Sequence, residues 1–214
     1  MNAIVESVPY RDRKRAAWLM SMGVPMLAAA GPLLYLASAA AWTLWLPVLL
    51  VYVGLPIADL IVGEDRSNPP ESAMAGLDAD RYYRMIAWMM VPLLWVAFVF
   101  AAWFVMRHDL PLHGLIAATI ATGVVGGFCI NIGHELGHKR GAFERWLAKL
   151  VLAPTGYGHF HVEHNRGHHR DVATPDDPAS SRMGESIYAF VVREIPGAWR
   201  RAWRLERERM QGLG

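Results

Sequence analysis

The distribution of charged side chains constrains the fold of this chain more than any single motif. Charged residues are absent from three long stretches, which lie between Arg15 and Asp59, between Arg84 and Arg107, and from Leu110 to Gly133. The last 81 of the 214 residues hold 23 of the 40 charges. A soluble domain would intersperse its charges, so this class is excluded. The single cysteine excludes a disulfide scaffold, and a net charge of +2 gives no support to nucleic-acid binding.

The charge-free stretches predict membrane spans, since a helix needs about 20 apolar residues to cross the hydrocarbon core. The first stretch is too long for one span and fits a hairpin of two, with its turn near Ser38. We expect spans near 17–37, 41–62, 85–106 and 112–132. The fold class is therefore all-α, a polytopic transmembrane helical bundle. The first apolar stretch fits a secretory signal peptide poorly, because the apolar region of such a peptide would be only about 7–15 residues long.

Lys and Arg residues near the span ends predict the orientation, because they concentrate on the cytoplasmic side. They precede the first span and follow the fourth, at positions 11, 13, 14, 15 and at 139, 140, 145, 149. We therefore expect the N-terminus, the segment 63–84 and the region 133–214 to be cytoplasmic. Asn68-Pro69-Pro70 and Gly76 favour a loop in the segment 63–84. Helices are expected near 139–152 and 184–210, and residues 1–214 as a whole form one membrane domain.

Seven of the nine histidines lie between residues 134 and 169, and five of them form two clusters with helical spacing. His134 and His138 follow the fourth span directly, and an i, i+4 pair on a continuing helix can bind one metal. His164 and His168 repeat this spacing, and His169 is adjacent. Five imidazoles exceed the ligand set of one tetrahedral zinc, which favours a site with more than one metal.

The spacing leaves the metal and the chemistry open, because imidazole suits zinc, copper, iron and nickel. A zinc-dependent intramembrane protease would use His134 and His138 as ligands and Glu135 as general base. A membrane oxygenase or desaturase would use all five histidines at a di-iron centre. A truncated, non-catalytic membrane protein that binds metal weakly or not at all is the third interpretation. The carboxylates that could orient the imidazoles are Glu135, Glu163, Asp171 and Glu185.

At these positions the sequence resembles the integral-membrane alkane 1-monooxygenases, or alkane hydroxylases, which are relatives of the membrane fatty-acid desaturases. The resemblance rests on residues 134–139 (HELGHK), 163–169 (EHNRGHH), 172–185 (VATPDDPASSRMGE) and 63–71 (GEDRSNPPE). The run at 172–185 is the most specific, because desaturases share the histidine spacing but not this run. The resemblance extends over nearly the whole chain.

The resemblance implies a six-span protein of a bacterial cytoplasmic membrane with two non-haem iron ions. The iron ligands that it implies in this chain are His134, His138, His164, His168 and His169. It also implies that reduced rubredoxin, supplied by a rubredoxin reductase and NADH, delivers the electrons. Dioxygen and a medium-chain n-alkane would then give a primary alcohol.

The sequence departs from the family pattern in one respect. The family carries two further histidine motifs after two more spans, whereas no histidine follows His169 here. We therefore expect an N-terminal portion of the enzyme, in which the metal site is incomplete and which is inactive by itself.

Overall fold

The computed structural model describes residues 10–212 and leaves residues 1–9 and 213–214 outside the description. Every regular element within the described residues is a helix, which confirms the all-α class. The chain divides into two compact units between Val125 and Gly126, and each is described by itself. The expectation of one membrane domain stays a prediction.

Eight helices are present in the described part of the chain. They are α1 (Ala17–Ser38), α2 (Ala41–Val62), α3 (Glu71–Ala79), α4 (Arg81–Arg107), α5 (Leu112–Gly137), α6 (Ala142–Leu152), α7 (residues 160–171) and α8 (Ile187–Gln211). Four of them, α1, α2, α4 and α5, are long and apolar enough to cross a membrane. This confirms the number of spans expected in this chain. α4 begins before the expected residue 85, and α5 continues past residue 132.

The ends of the helices in the first unit follow from local chemistry. Ala39 adopts a left-handed conformation (φ 54°), and its N–H donates to the Tyr35 carbonyl at the end of α1. The turn between α1 and α2 therefore falls beside Ser38, where a break was expected. Asp80 precedes α4, and its carboxylate accepts a hydrogen bond from the Tyr82 N–H at 2.9 Å. This N-cap satisfies one of the free donors of the first helical turn.

The prediction of a loop throughout residues 63–84 is wrong, because α3 occupies Glu71–Ala79. Pro70 is extended (ψ 151°) and serves as the N-cap residue of this helix, and Glu71 supplies an acidic side chain to the first turn. A negative charge at that end interacts favourably with the helix dipole. Gly76 lies inside α3, where a glycine costs only about 1 kcal/mol relative to alanine. The Pro-Pro pair therefore starts a helix here.

The second unit is packed closely where the C-terminal half of α5 meets α6 and the residues that follow it. A Cβ added at Gly133 would lie 2.7 Å from Leu152 Cγ, and one at Gly126 would lie 2.6 Å from a Thr155 methyl. Glycines at these two positions allow α6 to approach the backbone of α5. Leu136 and Leu152 are fully buried in this contact region. The end of α5 that carries the first histidine cluster is therefore held by packing.

α8 is amphipathic and contributes a small buried face. Ala198, Ala202 and Leu205 are buried on it at helical spacing, together with the charged side chain of Arg201. α8 packs against α7, the helix that contains the second histidine cluster. A buried arginine on this face therefore reaches the histidine-rich part of the chain.

Candidate metal centre

The first histidine cluster lies on a continuous helix, as its sequence predicts. α5 extends to Gly137, and the His138 N–H donates to the His134 carbonyl at 3.3 Å. The Nε2 atoms of His134 and His138 are 2.8 Å apart. The i, i+4 pair therefore converges on one point beyond the apolar part of the helix.

The second cluster does not use the i, i+4 pair that its spacing suggests. Residues His164–His168 form a π-helical turn within α7, and such a turn repeats at i, i+5 rather than i, i+4. His169 consequently approaches His164, with their Nε2 atoms 3.1 Å apart. His164 Nε2 in turn lies 3.2 Å from His138 Nε2. The wider turn thus selects His169 as the partner of His164.

Four imidazoles therefore form one group, with all their candidate ligand atoms within 4.8 Å of one another. The group contains His134, His138, His164 and His169, two of which are half-buried and two exposed. At this separation the nitrogens can bind metal together, and the exposed side leaves room for further ligands or substrate. The structure thus contains a candidate metal site built from imidazole nitrogens.

The protonation state of these rings suits metal binding. Burial, followed by the neighbouring histidines, lowers the pKa of His164 to about 3. Burial is also the first cause that lowers the pKa of His138, with His134 and His169 adding to it. Both rings are therefore neutral near pH 7 and carry a lone pair that a metal can accept.

His168 is the one implied iron ligand that lies outside this group. Its Nδ1 atom is 2.8 Å from Asp177 Oδ2, and its ring stacks on His164 with centroids 5.2 Å apart. Because Nδ1 contacts Asp177, Nε2 is the other ring nitrogen of His168 that could bind a metal. The role of His168 as a ligand stays a prediction.

The four carboxylates expected to orient the imidazoles all pair with cations. Glu135 pairs with Lys139, Glu163 with Arg201, Asp171 with Arg170 and Glu185 with Arg193, at 2.7–2.9 Å. Asp177, which was not among the predicted carboxylates, contacts the clustered residue His168. The sequence could have indicated this residue, because Asp177 lies within residues 172–185, the run on which the resemblance is most specific.

One side of the imidazole group is lined by stacked aromatic rings. Phe160 stacks on His164 with ring centroids 4.8 Å apart, and Tyr157 stacks on Phe160 at 5.5 Å. The Tyr157 hydroxyl donates to Glu194 at 3.2 Å, and burial raises the pKa of this hydroxyl. Tyr157 therefore stays neutral, and the rings shield this side of the group from water.

Comparison with known proteins relates this centre to membrane oxidoreductases. The model of the fatty acid desaturase family matches residues 109–214, which include every clustered histidine. Alkane 1-monooxygenase 1 of Alcanivorax borkumensis is 50% identical over 207 residues, which cover 96% of this chain and 51% of that protein.

Two other relatives give the same result. The alkane 1-monooxygenase of Pseudomonas putida is 46% identical, with 100% of this chain and 53% of the relative covered. That of Ectopseudomonas oleovorans is 47% identical, with 99% of this chain and 53% of the relative covered. The chain thus spans about half the length of the curated relatives it matches. These matches confirm the resemblance that the histidine clusters and the run at 172–185 indicated.

Proposed function

Since the chain is similar to alkane 1-monooxygenases over nearly its whole length, we propose that the protein containing it belongs to that family and hydroxylates the terminal carbon of medium-chain n-alkanes with dioxygen. The observation that carries this proposal is the convergence of His134, His138, His164 and His169 within 4.8 Å. These four residues lie in the part of the chain that matches the fatty acid desaturase model. The products are a primary alcohol and water.

The metal of this proposal is iron, held as two non-haem ions. The donor set fits, because neutral imidazoles bind iron without adding anionic charge to the site. Four histidines form the group, and His168 offers Nε2 as a fifth nitrogen. Bound iron would supply the redox chemistry that activates dioxygen. The residues of the chain hold the ions, and the stacked rings of Tyr157 and Phe160 exclude water on one side.

The substrate imposes a second requirement on the site. An n-alkane has no polar group to bind, so its selection depends on an apolar slot of matching shape. Such a substrate partitions into the bilayer, which is consistent with a first histidine cluster at the end of the apolar helix α5. The selectivity for the terminal carbon would then follow from the depth of the slot.

The cellular setting is the bacterial cytoplasmic membrane, with the N-terminus and the histidine clusters on the cytoplasmic side. Lys and Arg residues before α1 and after α5 support this orientation. Rubredoxin, reduced by a reductase and NADH, is the proposed electron donor. The resemblance supports this choice, and the exposed rings of His138 and His169 leave the centre open to the aqueous side.

The zinc-protease interpretation has less support. A general base in such a site would act on a metal-bound water, but the Glu135 side chain is 57% exposed and pairs with Lys139 at 2.8 Å. Relatives that match nearly the whole chain are also named alkane 1-monooxygenases.

A chimera tests the proposed function directly. We would join this chain to the second half of the Alcanivorax borkumensis alkane 1-monooxygenase 1, in place of the matching first half. Membranes containing the chimera would receive rubredoxin, its reductase, NADH and n-octane. We expect 1-octanol from the chimera, none from its His138→Ala variant, and normal yield from His113→Ala, whose ring is exposed outside the histidine clusters. A chimera that inserts into membranes and binds iron but forms no alcohol would contradict the proposal.

A further inference from the structure

Arg201 is a buried cation beside the second histidine cluster that the proposed reaction does not use. Its side chain is 3% exposed, and its guanidinium lies 2.9 Å from Glu163 and 3.6 Å from Asp171. Nη1 donates to the Asp176 carbonyl at 2.8 Å, and Nη2 donates to Asp177 Oδ1 at 3.3 Å. One side chain of α8 thus contacts α7 and the loop that follows it.

Gly167 makes this approach possible. It lies between His164 and His168, and a Cβ at this position would fall 2.7 Å from Arg201 Nη2 and overlap Nε. The guanidinium therefore lies directly on the backbone of the π-helical turn. Any other residue at position 167 would push Arg201 away from that turn.

Asp177 connects Arg201 to the histidine cluster. Its side chain is fully buried and accepts hydrogen bonds from Ser180 Oγ at 2.5 Å, from the Ala179 N–H at 3.1 Å and from Arg201. Paired with the permanent positive charge of Arg201 and surrounded by hydrogen-bond donors, Asp177 is held as a carboxylate acceptor that faces His168 Nδ1 at 2.8 Å.

An ionised carboxylate at this position selects one form of the imidazole. It accepts a hydrogen bond but has none to donate, so the neutral ring must carry its proton on Nδ1. Nε2 then keeps its lone pair. Carboxylates that fix the tautomer and orientation of a histidine in this way tune its use as a metal ligand.

We propose that Arg201 is a positioning residue for His168, acting through Asp177 to hold the ring as the Nδ1–H tautomer with Nε2 free for the metal. Glu163 and Asp171 balance the charge of the guanidinium in this arrangement. The inference concerns a metal ligand and so rests on the proposed function. The tautomer itself can be observed without metal.

Histidine tautomers provide the first test. The metal-free chain, labelled with ¹⁵N-histidine and held in detergent, would be studied by NMR at neutral pH, with His168 assigned through His168→Gln. We expect the Nδ1–H tautomer in the unaltered chain. Arg201→Gln, Asp177→Asn and Gly167→Ala should each shift His168 toward the Nε2–H form. Gly167→Ala matters most, because it leaves both charged groups intact and displaces only the guanidinium.

Arg193 supplies the matched control. It also lies on α8 and contacts the same loop, donating to the Pro178 and Ser180 carbonyls at 2.9 Å and pairing with Glu185. Arg193→Gln should therefore leave the His168 tautomer unchanged. Arg201→Lys keeps the positive charge and should rescue part of the Nδ1–H population. Helicity and elution volume, measured for every variant, would identify any that fails to fold.

Metal affinity provides the second test and separates this inference from the proposed function. We expect Arg201→Gln and Asp177→Asn to weaken Fe²⁺ binding by about 10–100-fold, and Arg193→Gln to leave it unchanged. An Nε2–H tautomer in the unaltered chain, or an unchanged tautomer in both Arg201→Gln and Gly167→Ala, would overturn the inference. The expected tautomers in this chain, together with a chimera that binds no iron, would support this inference and contradict the proposed metal centre.

Discussion

The two units of the chain differ in how they place charge, because the second buries a group of charged side chains as well as exposing some. In the first, Lys14 pairs with Asp65, and Arg15 pairs with Asp80, by side chains that are 29–53% exposed. In the second, Arg201 is 3% exposed and lies among carboxylates that are 0–21% exposed. Exposed pairs contribute little to stability, whereas a buried pair is strongly disturbed when one partner is removed. The second unit is therefore where single substitutions should have large effects.

Loss of a metal ligand in the second unit should give the largest effect, which is on iron binding. A small effect would remove the expected difference between the two units. We expect His164→Ala to weaken Fe²⁺ binding by more than about 100-fold, because it removes a member of the group rather than a residue that orients one. Iron per chain, measured by elemental analysis after dialysis, checks this. His113→Ala is the control and should keep the iron of the unaltered chain. Equal iron in both variants would contradict the site.

Packing beneath the first histidine cluster should give the next largest effect. Gly133→Ala places a methyl group 2.7 Å from Leu152 Cγ, and overpacking of this kind costs about 1–3 kcal/mol. Thermal unfolding in detergent should show a lower melting temperature. Gly127→Ala is the control, since no heavy atom lies within 4 Å of its added Cβ. An equal response of the two variants would show that α5 is not held at Gly133.

A pH dependence is expected from Glu185 in the second unit. The hydrogen bonds from Arg193 are the first cause that lowers the pKa of Glu185, from 4.5 to about 2. A folded-state pKa below the unfolded one means that the stabilisation is fully present above about pH 4.5 and is lost as the pH falls toward 2. Melting temperatures of the chain and of Glu185→Gln should therefore converge over that interval. A constant difference between them would contradict the pairing.

The exposed pairs of the first unit should give the smallest effect. Arg15→Gln removes the partner of Asp80, but Asp80 still accepts from the Tyr82 N–H and keeps its role as N-cap of α4. We expect a smaller loss of melting temperature than in Gly133→Ala, and unchanged iron content. A fall in iron binding in Arg15→Gln would remove the distinction between the two units.

The sequence predicts the number of spans well, because partition into a bilayer depends on the local run of apolar residues and little else. It also predicts the helix through His134 and His138. It fails at α3, where Pro70 and Glu71 start a helix instead of continuing a loop. The stability of a short helix depends on its capping residues and on its tertiary contacts. A Pro-Pro pair is therefore compatible with a continuing loop or with the start of a helix.

The arrangement of the second histidine cluster was beyond prediction from spacing. A regular α-helix pairs His164 with His168, but the π-helical turn pairs His164 with His169. That turn contains Gly167, and Arg201 packs against it. Arg201 lies on α8, 34 residues further along the chain than Gly167. Contacts between residues so far apart leave no periodic signal. The role of Asp177 was not predicted for the same reason, although Asp177 lies within residues 172–185, one of the runs on which the resemblance rests.

Iron K-edge X-ray absorption on the chain purified with iron would decide whether these histidines bind the metal. We expect nitrogen and oxygen atoms as nearest neighbours of the iron, with the outer-shell scattering of imidazole rings, and a clear loss of that scattering in His164→Ala. Iron without imidazole scattering, or an identical spectrum in His164→Ala, would contradict the assignment of these histidines as the metal centre.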